Sequence, residues 1–197
     1  MTSGRPRLVL ASASPRRRQL LTDAGYDFEV LAPAVDELHS DRLTLREATS
    51  YNALHKGLAV ARVHPGEVVL AADTLVALDG QLLGKPANHA EAARLLRLLS
   101  GRTHLVASGV FVVHLHLGKS LAFSVVSRVV FKKLSERTIE RYLDTIDPLD
   151  KAGGYAAQGK GREVIARIVG SRTNVIGLPL EKTGAALALF GIRSNRA

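Results

Sequence analysis

The stretch EVVLAADTLVAL, residues 67–78, limits the fold more than any other part of the chain, because it sets a carboxylate inside a nearly unbroken apolar run. Bounded by His64-Pro65-Gly66 and Asp79-Gly80, the run reads as a strand buried on both faces. Asp79-Gly80 suits a two-residue hairpin turn, which returns the chain into QLLG, residues 81–84. An ionised Asp73 in such a strand is costly unless it is paired, bound to a metal or protonated. A strand-end aspartate making local hydrogen bonds is the plainer account of the same residue.

The rest of the chain alternates irregularly between two kinds of pattern. RLVLA (7–11) reads as a short buried strand, followed by a helix with Ser14 as cap, Pro15 at its first position, Leu20, Leu21 and Ala24 on its apolar stripe, and Gly25 as its stop. DFEVLAP (27–33) is expected to be a strand, with Asp36-Glu37 in the loop beyond it. Thr44 and Glu47 form a capping box for a long alanine-rich helix that runs to about Arg62 and carries Lys56. Asn88 and Glu91 cap another helix, with Ala92, Leu95, Leu96 and Leu99 on one face and Gly101 as its stop. Residues 103–131 read as two long antiparallel strands joined around Gly118-Lys119, and Ser135 opens a helix that ends before Asp147-Pro148. A glycine-rich loop (150–161), a strand (162–171) and a closing helix (178–190) complete the chain. Without strict βαβ alternation, the expected class is α/β with a mixed twisted sheet flanked by helices. No repeat or linker divides residues 1–197, and that length fills one core without disulfides or a structural metal, so a single domain is expected.

Composition removes several functions. The absence of cysteine excludes disulfides, thiolate zinc sites and a cysteine nucleophile, so any metal is held by oxygen or imidazole. A net charge of +9 favours an anionic partner. With 5% aromatic residues and no tryptophan, the stacking platforms of a single-strand binder are missing, which argues against nucleic acid. No apolar run spans a bilayer and MTSGRPRLVLASAS has no full signal-peptide core, so a soluble cytoplasmic protein is expected, with no membrane partner.

Three arginines, Arg16 to Arg18, stand where a helix begins, against the positive end of its dipole, at about 0.3–1 kcal/mol each at low salt. A bound phosphate would reconcile them with free backbone N–H groups there; a solvated basic helix is the plainer alternative. Glu37 or Asp36 can add oxygens to Asp73 for a hard divalent cation, and Lys56 and Lys85 can supply point charges for phosphate. Gln158, between glycines in GGYAAQGKG, both donates and accepts, as reading a pyrimidine edge requires. Gly84-Lys85-Pro86 is not a Walker loop, because Asp79 and Pro86 stand where that motif needs glycine and Ser or Thr. His114 and His116 share a strand face more in the manner of a polar surface than of a metal site. No GxSxG elbow is present.

The ordered blocks LASASPRR (10–17), the acidic pair at Glu37, AADT (71–74), GKP (84–86), SGRTH (100–104), DKAGGYAAQG (150–159) and GSRTNVIGLPL (170–180) resemble the Maf family of nucleotide pyrophosphatases over nearly the whole chain. The resemblance implies a fold similar to inosine triphosphate pyrophosphatases, two lobes around a deep cleft, and a divalent cation, Mg, Mn or Co. It implies hydrolysis of a nucleoside triphosphate to monophosphate and pyrophosphate. Asp73-Thr74, Asp150 to Gly153 and Gln158-Gly159 are similar to the subgroup that prefers dTTP and UTP; a sister group directed at 7-methyl-GTP differs there. By this resemblance Asp73 is the proton acceptor and Arg16, Thr74 and Gln158 set specificity; charge and geometry lead us to expect Ser12, Arg16, Arg17, Lys56 and Lys85 to bind phosphate and Glu37 with Asp73 to bind metal, with Asp36 left open in place of Glu37. Modified pyrimidine triphosphates extend the expected substrate range, and a homodimer is left open. The alternative function is a non-catalytic nucleotide-binding regulator of cell division or septum formation.

Overall fold

The computed structural model describes residues 6–38, 40 and 42–196. Its frame is one mixed sheet of seven strands: β1 (Leu8–Ala11), β2 (Glu29–Val30), β3 (Val68–Leu78), β4 (Gln81–Leu83), β5 (Thr103–His114), β6 (Lys119–Phe131) and β7 (Ile165–Val169). The strand order is β2-β1-β3-β5-β6-β7, with β4 paired to the far end of β3. β1 runs parallel to β2 and β3, and every other pairing is antiparallel. The flanking helices are α1 (Pro15–Asp23), α2 (Leu45–Val63), α3 (His89–Leu99), α4 (Glu136–Leu143), α5 (Arg172–Ile176) and α6 (Leu180–Leu189).

Local chemistry accounts for most of these boundaries. Ser14 caps α1 with Pro15 just inside it, Thr44 and Glu47 form a reciprocal capping box on α2, and Asn88 and Ser135 cap α3 and α4. Asp79 and Gly80 both have positive φ, 50° and 84°, as the tight turn between β3 and β4 demands.

Several segments differ from the sequence expectation: β5 ends at His114 and Leu115–Leu117 winds into a 3₁₀ turn, so His116 does not share a strand face with His114. The strand expected over 27–33 contracts to Glu29–Val30 at the sheet edge, since β1 offers only Val9 and Leu10 as partners and Pro33 cannot donate to a ladder. The strand expected from 162 begins at Ile165, because Gly159–Glu163 winds into a 3₁₀ turn first. The five-residue α5, too short to show a helical period, precedes the closing helix.

Side chains of β3 alternate between two faces, and the core divides accordingly. Val69 and Ala71 face α2 together with Val9, Ala11, Phe111 and Val113. Leu70 and Ala72 on the other face pack with Leu8, Leu21, Leu178, Leu187 and Phe190. Further along that same face a separate core gathers Val76, Leu78, Val106, Val129 and Phe131 against α3 and α4. Between these last two cores lies a polar belt: Thr74, Ser108, Asn174 and Ser127, joined through bonds of 2.8–3.0 Å. One continuous sheet therefore carries two lobes, separated by polar side chains.

In the second lobe His104, 1% exposed, packs edge-on to Phe131 and Tyr155, and its Nε2 lies 2.7 Å from the Tyr155 hydroxyl. Burial pushes the imidazole pKa down to about 4, while the unfolded chain takes its proton near pH 6.5. Between these values the unfolded state holds more protons, so stability falls with pH through that window, by about 2 kcal/mol from pH 7 to pH 5. Urea unfolding at the two pH values should show this loss, and His104→Phe should remove that share of it. An identical pH dependence in the variant would rule out His104 as the source.

Candidate active site

Strand β3 changes partners in mid-course, and the cleft opens at that change. Its pairing with β1 ends at Ala71 and its pairing with β4 begins at Val76. Among the described residues, positions 72–75 have no neighbouring strand on that side. The chain leaving β1, Ser12 to Arg17, forms one wall; Lys85, just after β4, and residues 150–152 and 155–157 form the other. Gly153 N–H donates to the Gly84 carbonyl at 3.0 Å, tying that second wall to the end of β4. The enclosed volume is about 350 Å³, within the range of small-molecule sites.

Asp73 forms the floor, 2% exposed and on the α2 side of the sheet. Directly opposite it in register is Gly109, where a Cβ atom would lie 2.3 Å from the Thr49 carbonyl oxygen. Only glycine there lets α2 descend far enough for its side chains to reach Asp73. Asn52 and Lys56, four residues apart and so on one helix face, both arrive. Lys56 Nζ donates to Asp73 Oδ1 and to Glu37 Oε1, each at 2.6 Å, and Asn52 Nδ2 donates to Asp73 Oδ2 at 3.1 Å. Asn52 also accepts from Leu38 N–H at 2.8 Å and donates to the Leu38 carbonyl at 3.2 Å, which holds the Glu37 loop over the floor.

Thr74 points to the opposite face. Its hydroxyl accepts from Arg17 Nη2 at 3.1 Å and lies 2.8 Å from Ser108 Oγ. Arg17, 8% exposed, spends two further N–H groups on the Gly177 carbonyl (2.9 Å) and Ser12 Oγ (3.0 Å). Burial lowers its guanidinium pKa from the usual value, an effect opposed by Asp73 and then Glu37. Arg17 thus lines the cleft as an anchor joining β1, β3 and the α5 turn.

The fit of this floor to a divalent cation follows from its donors. Among the described residues no three His, Asp or Glu side chains converge into a protein cage. Glu37 and Asp73 nevertheless share one positive charge, the Lys56 ammonium, so their oxygens already converge on a cationic centre. Two carboxylates, with water and phosphate oxygens completing the shell, are the donor set that Mg²⁺ takes at phosphoryl sites. The residues fit such an ion.

The family model described as Maf-like protein matches residues 7–190. The chain belongs to the Maf family. Among its relatives, the dTTP/UTP pyrophosphatase of Bacillus pumilus is 42% identical over 185 residues, covering 94% of this chain and 97% of the relative. The dTTP/UTP pyrophosphatases of Symbiobacterium thermophilum and Moorella thermoacetica are each 45% identical over 186 residues, covering 93% and 94% of this chain and 94% and 96% of theirs. In fold, the chain is similar to the Staphylococcus aureus Ham1 protein, with a TM-score of 0.52 at 17% identity over 92% of this chain and 98% of that one.

The positions singled out by the Maf resemblance are distributed unevenly. Ser12, Arg16, Arg17, Glu37, Lys56, Asp73, Thr74 and Lys85 all line the cleft. Of the acidic pair, Glu37 faces the floor, whereas Asp36 is exposed and outside the lining. Gln158 is half-buried and also lies outside the lining, although its neighbours Ala156 and Ala157 are in it. Arg18 is exposed, and Arg16 reaches across the mouth to the Asp150 carboxylate at 2.5 Å. Burial acts to raise the Asp150 pKa, but hydrogen bonds from Lys151 and Arg16 outweigh it and hold the carboxyl below its usual range.

Sequence reasoning missed Asn52 and Gly109 in this Maf site. Asn52 carried a usable signal, standing one helical turn before Lys56 in an alanine-rich helix. Gly109 carried none, because its requirement comes from a helix distant in sequence.

Proposed function

We propose that this Maf protein hydrolyses dTTP and UTP to the monophosphate and pyrophosphate. The observation that carries the reading is the floor of the cleft: a buried carboxylate, Asp73, held by Asn52 and Lys56 beside Glu37, under a rim that includes Arg16 and Lys85. The pyrimidine triphosphate class comes from the relatives that are 41–45% identical over nearly their whole length.

In this reading Arg16 and Lys85 bear on the triphosphate from the rim and Lys56 from the floor, and their charges meet the negative charge that grows on the leaving pyrophosphate. Asp73 takes the proton from a water as its oxygen bonds to the α-phosphorus. The bond from the α-phosphorus to the bridging oxygen breaks, and pyrophosphate leaves without a covalent intermediate. A Mg, Mn or Co ion held by Glu37 and Asp73 would neutralise phosphate charge. Asn52 keeps the Asp73 carboxylate oriented, and Arg17 ties the first wall to β3 and the α5 turn.

The test is incubation with a panel of nucleoside triphosphates and Mg²⁺ or Mn²⁺, with products separated by chromatography. dTMP or UMP with pyrophosphate is expected. Release of orthophosphate and a diphosphate, or turnover of no triphosphate, overturns the reading.

A further inference from the structure

Two carboxylates suited to a divalent ion are joined by the Lys56 ammonium, through short bonds to Glu37 Oε1 and Asp73 Oδ1. The three groups differ in exposure: the Asp73 side chain is 3% exposed, Lys56 10% and Glu37 28%. The ammonium is thus seated between an inner and an outer carboxylate. Both contacts are charge-assisted, and two of the three ammonium donors are committed to them. A dication brought between the same oxygens would meet the resident positive charge a few ångströms away and displace two hydrogen bonds.

We propose that Lys56 is a resident stand-in for the divalent cation: in the nucleotide-free protein it satisfies Glu37 and Asp73, keeps cation affinity low, and yields when a triphosphate offers its ammonium new oxygens. This rests on the phosphate-hydrolysing reading given above. Lysine suits the role, being a compact charge on a flexible four-carbon stem that can change partners without moving the helix that carries it. Helix α2 packs closely on the sheet at Gly57 and Gly109, where a Cβ would strike Phe111 and Thr49, and a change of partner by the side chain alone leaves that packing undisturbed. The protein then acquires its cation together with the nucleotide, and Asp73 Oδ1 loses its ammonium partner in the same exchange.

The experiment is calorimetric titration of Mn²⁺ into the purified full chain without nucleotide, comparing the parent protein with Lys56→Met and with Lys85→Met at the rim. Lys56→Met is expected to bind Mn²⁺ about tenfold or more tightly than the parent, because the cation no longer displaces charge-assisted bonds, with a much smaller gain for Lys85→Met. Equal or weaker binding by Lys56→Met overturns the proposal, as does an equal gain in both variants, which would reduce the effect to net charge. Thermal unfolding with and without Mn²⁺ is the parallel readout. A Lys56→Met protein unfolded in metal-free buffer and restored by Mn²⁺ supports the proposal, and one that Mn²⁺ fails to restore overturns it. The triphosphate assay is separate: turnover by the parent without the Mn²⁺ gain defeats only the stand-in role, and the gain without turnover defeats only the proposed function.

Discussion

Asp73→Asn is expected to lower kcat on dTTP by about 10²–10⁴-fold, the usual contribution of a positioned general base, while nucleotide binding persists. The substitution keeps the shape of the side chain but removes its negative charge and half of its accepting capacity. Both carboxylate oxygens accept in the parent, one from Lys56 Nζ and the other from Asn52 Nδ2. An amide at this position sets a donor against one of those donors whichever way it is turned. Some loss of stability therefore accompanies the loss of rate, and circular dichroism must show a folded variant before its kinetics are read. A folded variant with near-normal kcat would remove Asp73 as the proton acceptor.

Gly109→Ala is expected to cost about 3 kcal/mol or more, near the upper end of overpacking effects, and to lower the midpoint of thermal unfolding by about 10 °C. The added methyl would lie 2.3 Å from the Thr49 oxygen, 2.4 Å from its carbonyl carbon and 2.6 Å from Ser50 N. All three are backbone atoms, so no rotamer change relieves the contact and α2 must shift. That shift also moves Asn52 and Lys56 away from Asp73, so activity measured below the unfolding transition should fall as well. Calorimetry and a pyrophosphate-release assay together check this. Parent-like stability and turnover would show that the close approach of α2 to β5 does not position the floor.

The mixed sheet could be read because its signals are local. Capping residues, the Asp79-Gly80 turn and the apolar run of β3 each act over a few residues. Asp73 was conspicuous for the same reason, as a charge where periodicity requires apolar surface. Other features depend on distant partners. Arg17 is adjacent to Arg16 in sequence, yet one is buried on the Gly177 carbonyl and the other crosses the cleft mouth to Asp150. Nothing in the run of arginines distinguishes them, since the difference lies in helix phase and in what the α5 turn offers. Two lobes were expected from the resemblance alone, but the polar belt that divides one sheet face between them was hidden, because Thr74, Ser108, Asn174 and Ser127 come from four separate elements.

Over residues 72–75, β3 has lost β1 and not yet gained β4. A strand edge without a neighbour is ordinarily a hazard, because another chain can add to it and begin an aggregate. Here the open edge spans only residues 72–75, lies inside the molecule, and is closed off at each end by a strand already in place. A foreign strand cannot extend along a gap of that length. The protein thus keeps a short gap in its sheet at the cleft without presenting a template for self-assembly.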